Sequence, residues 1–145
     1  MIAVDSNVLV YAHKRGSPFH VAAAEAIDSL RHQPAPWAIP WPCIHEFIGI
    51  ATHPGIYKPA STLAEALGFV DALLASPPLL LLAESPGYFD KLRQVATAAQ
   101  LKGPRIHDAR IAALCLHHGV RELWSADRDF SAFPQLTVRN QLVKT

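Results

Sequence analysis

Met1-Ile2-Ala3-Val4-Asp5-Ser6-Asn7-Val8-Leu9 opens the chain: a short apolar run that stops at a carboxylate, two small polar residues, then apolar residues again. Ile2 to Val4 reads as a buried strand, because a short continuous apolar run closed by polar residues suits a strand covered on both faces. A helix starting near Asn7 and ending around His13 follows it. Working outward, the alternation repeats. Ser17-Pro18 forms a helix opening, with Ser17 as cap and Pro18 in the first position, and the helix runs through Ala22, Ala23, Ala26, Ile27 and Leu30. Trp37 to Ile39 is a second strand. Pro42 opens a helix that ends before Pro54-Gly55, and residues 53–59 are a turn-rich loop. Thr62 to Ala75 is a helix with Leu63, Leu67, Val70 and Leu74 at helical spacing. Leu79 to Leu82 is a third strand, Pro86 to Gln100 a helix, and Ile106 to His118 another helix, with Gly119 as its C-terminal cap. Glu122 to Trp124 and Thr137 to Arg139 are the last strands. Strands alternating with helices predict an α/β fold, a short and mainly parallel sheet wrapped by helices, with residues 1–145 as one domain.

Composition narrows the function. Half of the residues are hydrophobic and only 17% are charged, which is apolar enough to predict that a partner covers part of the surface. The net charge of +1 supplies no whole-molecule attraction to nucleic acid, so any such site must be a local basic patch. Cys43 and Cys115 sit in apolar helical runs and read as reduced core residues. No cysteine-rich metal spacing and no HExxH pattern occurs, which argues against a zinc hydrolase. The eight histidines show no ligand spacing. Leu79 to Ala83 is too short to span a membrane, and a cytoplasmic protein is expected.

Four acidic residues sit where a carboxylate has little structural reason to be. Asp5 ends the first strand, Glu46 interrupts Pro-Cys-Ile-His-Glu-Phe-Ile, Asp108 opens Asp-Ala-Arg-Ile-Ala-Ala-Leu-Cys, and Asp127 follows Leu-Trp-Ser-Ala. In open α/β sheets, sites form at the carboxyl ends of strands, where the next helices begin. Asp5 and Asp127 lie at strand ends, and Glu46 and Asp108 lie within about one turn of helix starts, so all four are expected on one edge. Asp108 shares a helical stripe with Ile111, Ala112 and Cys115, so it tops an apolar face. Converging carboxylates repel one another unless a cation intervenes. Hard divalent ions, magnesium or manganese, favour oxygen ligands, and one or two such ions suit phosphodiester hydrolysis.

Those residues carry a resemblance. Val4-Asp5-Ser6-Asn7-Val8-Leu9, Glu46-Phe47, His107-Asp108-Ala109-Arg110-Ile111-Ala112 and Ser125-Ala126-Asp127-Arg128-Asp129-Phe130 resemble the motifs of PIN-domain ribonucleases and, more narrowly, of VapC toxins from bacterial toxin–antitoxin pairs. The resemblance spans the chain, in order. It implies a three-layer α/β/α PIN-like fold, magnesium- or manganese-dependent endoribonuclease activity on RNA, a homodimer, and inhibition by a VapB-type antitoxin. It makes Asp5, Glu46, Asp108 and Asp127 the catalytic and metal-binding quartet. Ser6, where the family often has threonine, keeps the hydroxyl. Asn7 and Ser125 match polar supporting positions, and Asp129 is a secondary acid whose default reading is a turn residue.

Basic residues beside the quartet in sequence, Arg105, Arg110 and Arg128, are candidates to hold RNA phosphates, as are Lys102 and, at the end of the first helix, Lys14 and Arg15. Trp37, Trp41 and Trp124 read as core rather than base-stacking residues. The alternative function is a noncatalytic RNA-binding or scaffold module on the same fold; four converging carboxylates argue against it. A phosphatase of another α/β family is weakened because Asp5-Ser6-Asn7 lacks the second aspartate of a D-x-D motif.

Overall fold

The structure is a computed structural model that describes residues 1–143. Five strands, β1 (Ile2–Val4), β2 (Trp37–Pro40), β3 (Leu79–Leu82), β4 (Glu122–Trp124) and β5 (Thr137–Arg139), form one sheet in the order β3-β2-β1-β4-β5. Every pairing is parallel, with Ile2 opposite both Trp37 and Glu122. Among the described residues six α-helices connect them: α1 (Ser6–His13), α2 (His20–His32), α3 (Trp41–Ala51), α4 (Leu63–Leu74), α5 (Tyr88–Ala98) and α6 (Ile106–His117). The walk through the sheet goes from β1 outward to β3, then crosses back to β4 beside β1. Right-handed crossovers put helices that follow opposite walks on opposite faces. The packing agrees: α1 lies against α2 and α3, and α3 against α4, while α5 pairs with α6. The predicted three-layer α/β/α architecture follows, with a wholly parallel sheet among the described residues.

Burial explains the strand composition. All four residues of β2 are buried, as are Ala3 and Val4 of β1, because helices cover both faces. Trp37, Phe47, Phe130 and Phe133 are the largest fully buried side chains. Cys43 and Cys115 are free and buried, as their apolar settings predicted.

Three helix expectations are corrected. The second helix begins at His20, not at Ser17-Pro18. Ser17 Oγ accepts from the Phe19 amide at 3.1 Å, so this segment closes a turn before the helix instead of capping it. The fifth helix starts at Tyr88, because Gly87 at its N-cap adopts φ +91°, a left-handed conformation that a helix cannot include and that glycine tolerates. The expected stripe on α4 is partly inverted. Ala66, Val70 and Leu73 face the core, whereas Leu63, Leu67 and Leu74 are 58%, 43% and 44% exposed. Both sets have helical spacing and share Val70, so periodicity alone does not choose between them. The helix itself is set by a capping box in which Thr62 and Glu65 satisfy each other's amides.

Candidate metal centre

The sheet walk reverses between β1 and β4, and the carboxyl ends of these strands are the place where open α/β sheets carry their sites. Asp5 leaves β1 there. Its amide donates to Trp124 O at 3.0 Å, which extends the ladder by one residue and sets Asp5 beside Ser125. The side chain caps α1, with Oδ1 accepting from the Ser6 amide at 2.7 Å. Oδ2 accepts from Ser125 Oγ at 2.7 Å and Asn7 Nδ2 at 3.2 Å, and Cys43 Sγ is a weak donor to Oδ1 at 3.4 Å. Asp5 is only 3% exposed. The capping role expected of an aspartate here and the ligand role are therefore compatible in one side chain.

Two small polar residues tie the edge together. Ser125 Oγ donates to Asp5 and accepts from Asn7 Nδ2 at 3.2 Å and from the Asp127 amide at 3.0 Å, which uses its full hydrogen-bonding capacity. Asn7 Oδ1 accepts from the Ala126 amide at 3.1 Å. The start of α1 and the loop after β4 are thus locked to each other. Ser6 Oγ donates to Glu46 Oε2 at 3.0 Å, holding that carboxylate, one and a half turns into α3, against the β1 end.

Asp108 lies in the first turn of α6, and its helix buries Ile111, Ala112 and Cys115 along the predicted stripe. Asp127 starts a short 3₁₀ turn over Arg128–Ala132 and its Oδ1 accepts from the Asp129 amide at 2.9 Å. Oxygens of Asp108, Asp127 and Asp129 lie within 4.8 Å of one another. Asp129 is therefore grouped with the quartet's residues more closely than its default reading as a turn residue implies. The signal was the two-residue spacing in Asp-Arg-Asp, which only a tight turn converts into neighbouring carboxylates.

Little cationic charge balances this edge: Arg105 lowers the Asp108 carboxyl, but by less than the causes that raise it. Among the described residues, none of the five carboxylates forms an ion pair; the pairs present are Arg93–Asp90, Arg110–Glu84 and Arg139–Glu122. Burial raises the Asp5 carboxyl above its ordinary value despite the hydrogen bonds from Ser125 and Ser6, and the Asp127 charge adds to the rise. Burial also raises Glu46, with Asp5 and Asp108 contributing repulsion. Asp108 is raised by burial first and then by Asp127 and Asp129. Those directions mark carboxylates whose charge is only partly compensated. The donor set is all oxygen, which fits a hard divalent ion and not zinc or copper.

The predicted phosphate-binding arginines are placed unequally. Arg105 Nη2 donates to the Asp129 carbonyl at 3.3 Å and so braces the 3₁₀ turn. Arg110 pairs with Glu84 at 3.3 Å, although it also borders the depression beside Glu46 and Asp108. Arg128 lines a groove with Ser125, Asp127, Phe133 and Leu136. His45 and His107 border the same depression as their acidic neighbours, which the one-dimensional argument that adjacent helical residues diverge did not show. Trp37 and Trp124 are buried, and Trp41 packs on the core.

The fold and this acidic edge together define the PIN domain: the family's model matches residues 2–136, and the chain belongs to that family. VapC proteins are among its relatives there. Ribonuclease VapC43 of Mycobacterium tuberculosis is 32% identical over 142 residues, covering 98% of this chain and 96% of the relative. Ribonuclease VapC48 of the same species is 29% identical over 136 residues, 94% of each. Solved structures agree in fold. VapBC2 from Rickettsia felis, bound to a promoter DNA fragment, superposes with a TM-score of 0.70 at 17% identity over 97% of this chain and 98% of that one. VapC20 of M. tuberculosis, a toxin that cleaves the sarcin-ricin loop, gives 0.66 at 15% identity over 91% and 94%.

Proposed function

We propose that this protein is a divalent-metal-dependent endoribonuclease that acts as the toxin of a VapBC-type pair, with residues 1–145 working as one nuclease domain. The observation that carries the reading is the acidic edge: Asp108, Asp127 and Asp129 within 4.8 Å, with the buried Asp5 and the more exposed Glu46 beside them and, among the described residues, no ion pair to any of the five. The VapC relatives, named as ribonucleases, support the activity, and the VapBC complexes among the structural neighbours support an antitoxin partner.

Asp5, Glu46, Asp108 and Asp127 are the residues we assign to hold magnesium or manganese, one or two ions, with Asp129 as a further oxygen donor. A bound ion there would lower the pKa of water and stabilise charge on the phosphodiester. The chain's own contribution is position. Ser125 and Asn7 fix Asp5 and the Asp127 backbone from one side, and Ser6 fixes Glu46 from the other, so the carboxylates are arranged before ligands arrive. We assign Arg128 and Arg105, in the 3₁₀ turns that border the edge, to RNA phosphates; Arg110 is partly engaged by Glu84. The exposed Leu63, Leu67 and Leu74 of α4 and Leu80 of β3 are the apolar surface we assign to a homodimer. Among the described residues no helix is long and apolar enough to cross a membrane, which accords with a cytoplasmic site of action.

The test is expression in a bacterial host with and without a VapB-type partner. Wild type should arrest growth, Asp108→Asn should not, and the partner should relieve the arrest. Harmless wild-type protein at high level would remove the toxin assignment and leave the nuclease chemistry to be judged separately.

A further inference from the structure

Away from the acidic edge, at the far end of α1, lies a cavity of about 560 Å³ with an unusual lining. Three cations, Lys14, Arg15 and Lys58, stand around three aromatic rings, Tyr11, Phe19 and Tyr57, and no carboxylate lines it. None of the three cations forms an ion pair among the described residues. Lys14 Nζ lies 4.4 Å from the Tyr57 ring centroid and donates to Ser61 Oγ at 2.7 Å, which holds the ammonium at the cavity wall. Tyr11 and Phe19 are tilted against each other with centroids 5.2 Å apart, and Phe19 is 37% exposed.

We propose that this cavity is a second RNA-binding subsite: it takes an unpaired nucleotide, with its base on Phe19 and Tyr11 and its flanking phosphates on Arg15, Lys58 and Lys14. The chemistry is what single-strand binders use, cations along the backbone with aromatic rings under the bases. In a chain of net charge +1, three unpaired cations around one cavity form the local patch that nucleic-acid contact requires. Helix α1 links the two sites. Asp5 caps its start and Lys14 its end, and at 1.5 Å per residue they stand about 13 Å apart, so one extended strand reaches both. The subsite rests on the ribonuclease reading above and adds to it a hold on RNA that is remote from the cleaved bond.

The test uses the full chain and a fluorescein-labelled oligouridylate, titrated in EDTA across a salt series, so that binding is read without cleavage. Arg15 and Lys58 are exposed, so Arg15→Ala/Lys58→Ala should keep the wild-type melting temperature; Phe19→Ala gives up its packing on Tyr11 and should melt lower while staying folded at the assay temperature. Loss of two phosphate contacts should flatten the slope of log K against log salt by about 1.4, since each contact on a single strand contributes about 0.7. Phe19→Ala should weaken binding about tenfold at fixed salt with the slope unchanged. With magnesium, both variants should raise KM on long RNA and leave kcat alone. Wild-type affinity and slope in the double variant would overturn the subsite, as would loss of polyglutamate binding with oligouridylate binding intact, which would mark an acidic-polypeptide site. Groove-dependent oligouridylate binding by a wild type that cleaves no RNA would uphold the subsite and sink the nuclease reading.

Discussion

Removing one oxygen atom, in Ser125→Ala, should loosen the whole acidic edge. Ser125 is 2% exposed, and its hydroxyl makes three hydrogen bonds: to Asp5 Oδ2 at 2.7 Å, from Asn7 Nδ2 at 3.2 Å and from the Asp127 amide at 3.0 Å. The bond to the buried carboxylate dominates, because hydrogen bonds to charged groups contribute about 1.5–3 kcal/mol, whereas the other two donors are half-buried and can turn to water at smaller cost. A loss of about 2–3 kcal/mol follows. With an unfolding entropy of about 2.1 cal/mol/K per residue, that lowers the melting temperature by roughly 7–10 °C. The functional effect should be larger than the thermal one. Ser125 is the shared support of Asp5 and Asp127, and loss of such supporting contacts costs metal sites about 10–100-fold in affinity or activity. The assay is thermal unfolding in EDTA, followed by a manganese titration monitored by the rise in melting temperature. A variant that melts with wild type and takes up manganese at wild-type concentration would refute the claim that Ser125 organises the site.

The raised carboxyls give a pH dependence with a definite sign. A folded carboxyl above its unfolded value favours the protonated native state, so this contribution to stability is complete below the unfolded value of about 4 and is lost as pH rises through the raised folded one. In EDTA, Asp108→Asn should therefore melt above wild type at pH 7, with the gap closing near pH 4; a gap that widens on acidification would contradict the burial argument. Asp129→Asn should weaken manganese binding by less than Asp108→Asn does, because Asp129 is exposed and Asp108 is half-buried; equal losses by isothermal titration would promote Asp129 to a primary ligand. Phe47→Ala empties the fully buried space between His13 and Phe69 and should cost about 3–5 kcal/mol in urea unfolding, with a loss under 1 kcal/mol showing that the layer under α3 and α4 collapses to fill it.

The fold was legible where apolar runs and breakers agree. The strands fall at the predicted positions, β1, β2 and β3 because each is a short apolar run flanked by turn or capping residues, β4 and β5 despite polar residues at Glu122, Thr137 and Arg139, and Asp5, Glu46, Asp108 and Asp127 reach one edge because parallel α/β topology puts strand ends and helix starts together. What escaped was settled by tertiary contact. Leu67 and Ala66 fit equally well on a helical face, and only the neighbouring α3 decides that the smaller residue is buried. Ser17-Pro18 has the composition of a helix start, but the Phe19 amide takes the Ser17 hydroxyl and the helix begins later. The Cys43 thiol, buried and raised well above its usual value, meets Asp5 only because α3 packs against the end of β1. Arg110 finds Glu84, twenty-six residues earlier, through the packing of α6 beside the segment after β3.

These carboxylates are assigned a divalent ion on which RNA cleavage depends. One measurement addresses both halves: manganese uptake by electron paramagnetic resonance of the purified protein, with cleavage of total cellular RNA scored in the same samples, for wild type, Asp5→Asn and Asp108→Asn, with an EDTA control. Wild type should show saturable uptake and discrete RNA products, both lost in EDTA and in each variant with the fold retained. Cleavage that persists in EDTA, or in a variant that no longer takes up manganese, would contradict the assignment.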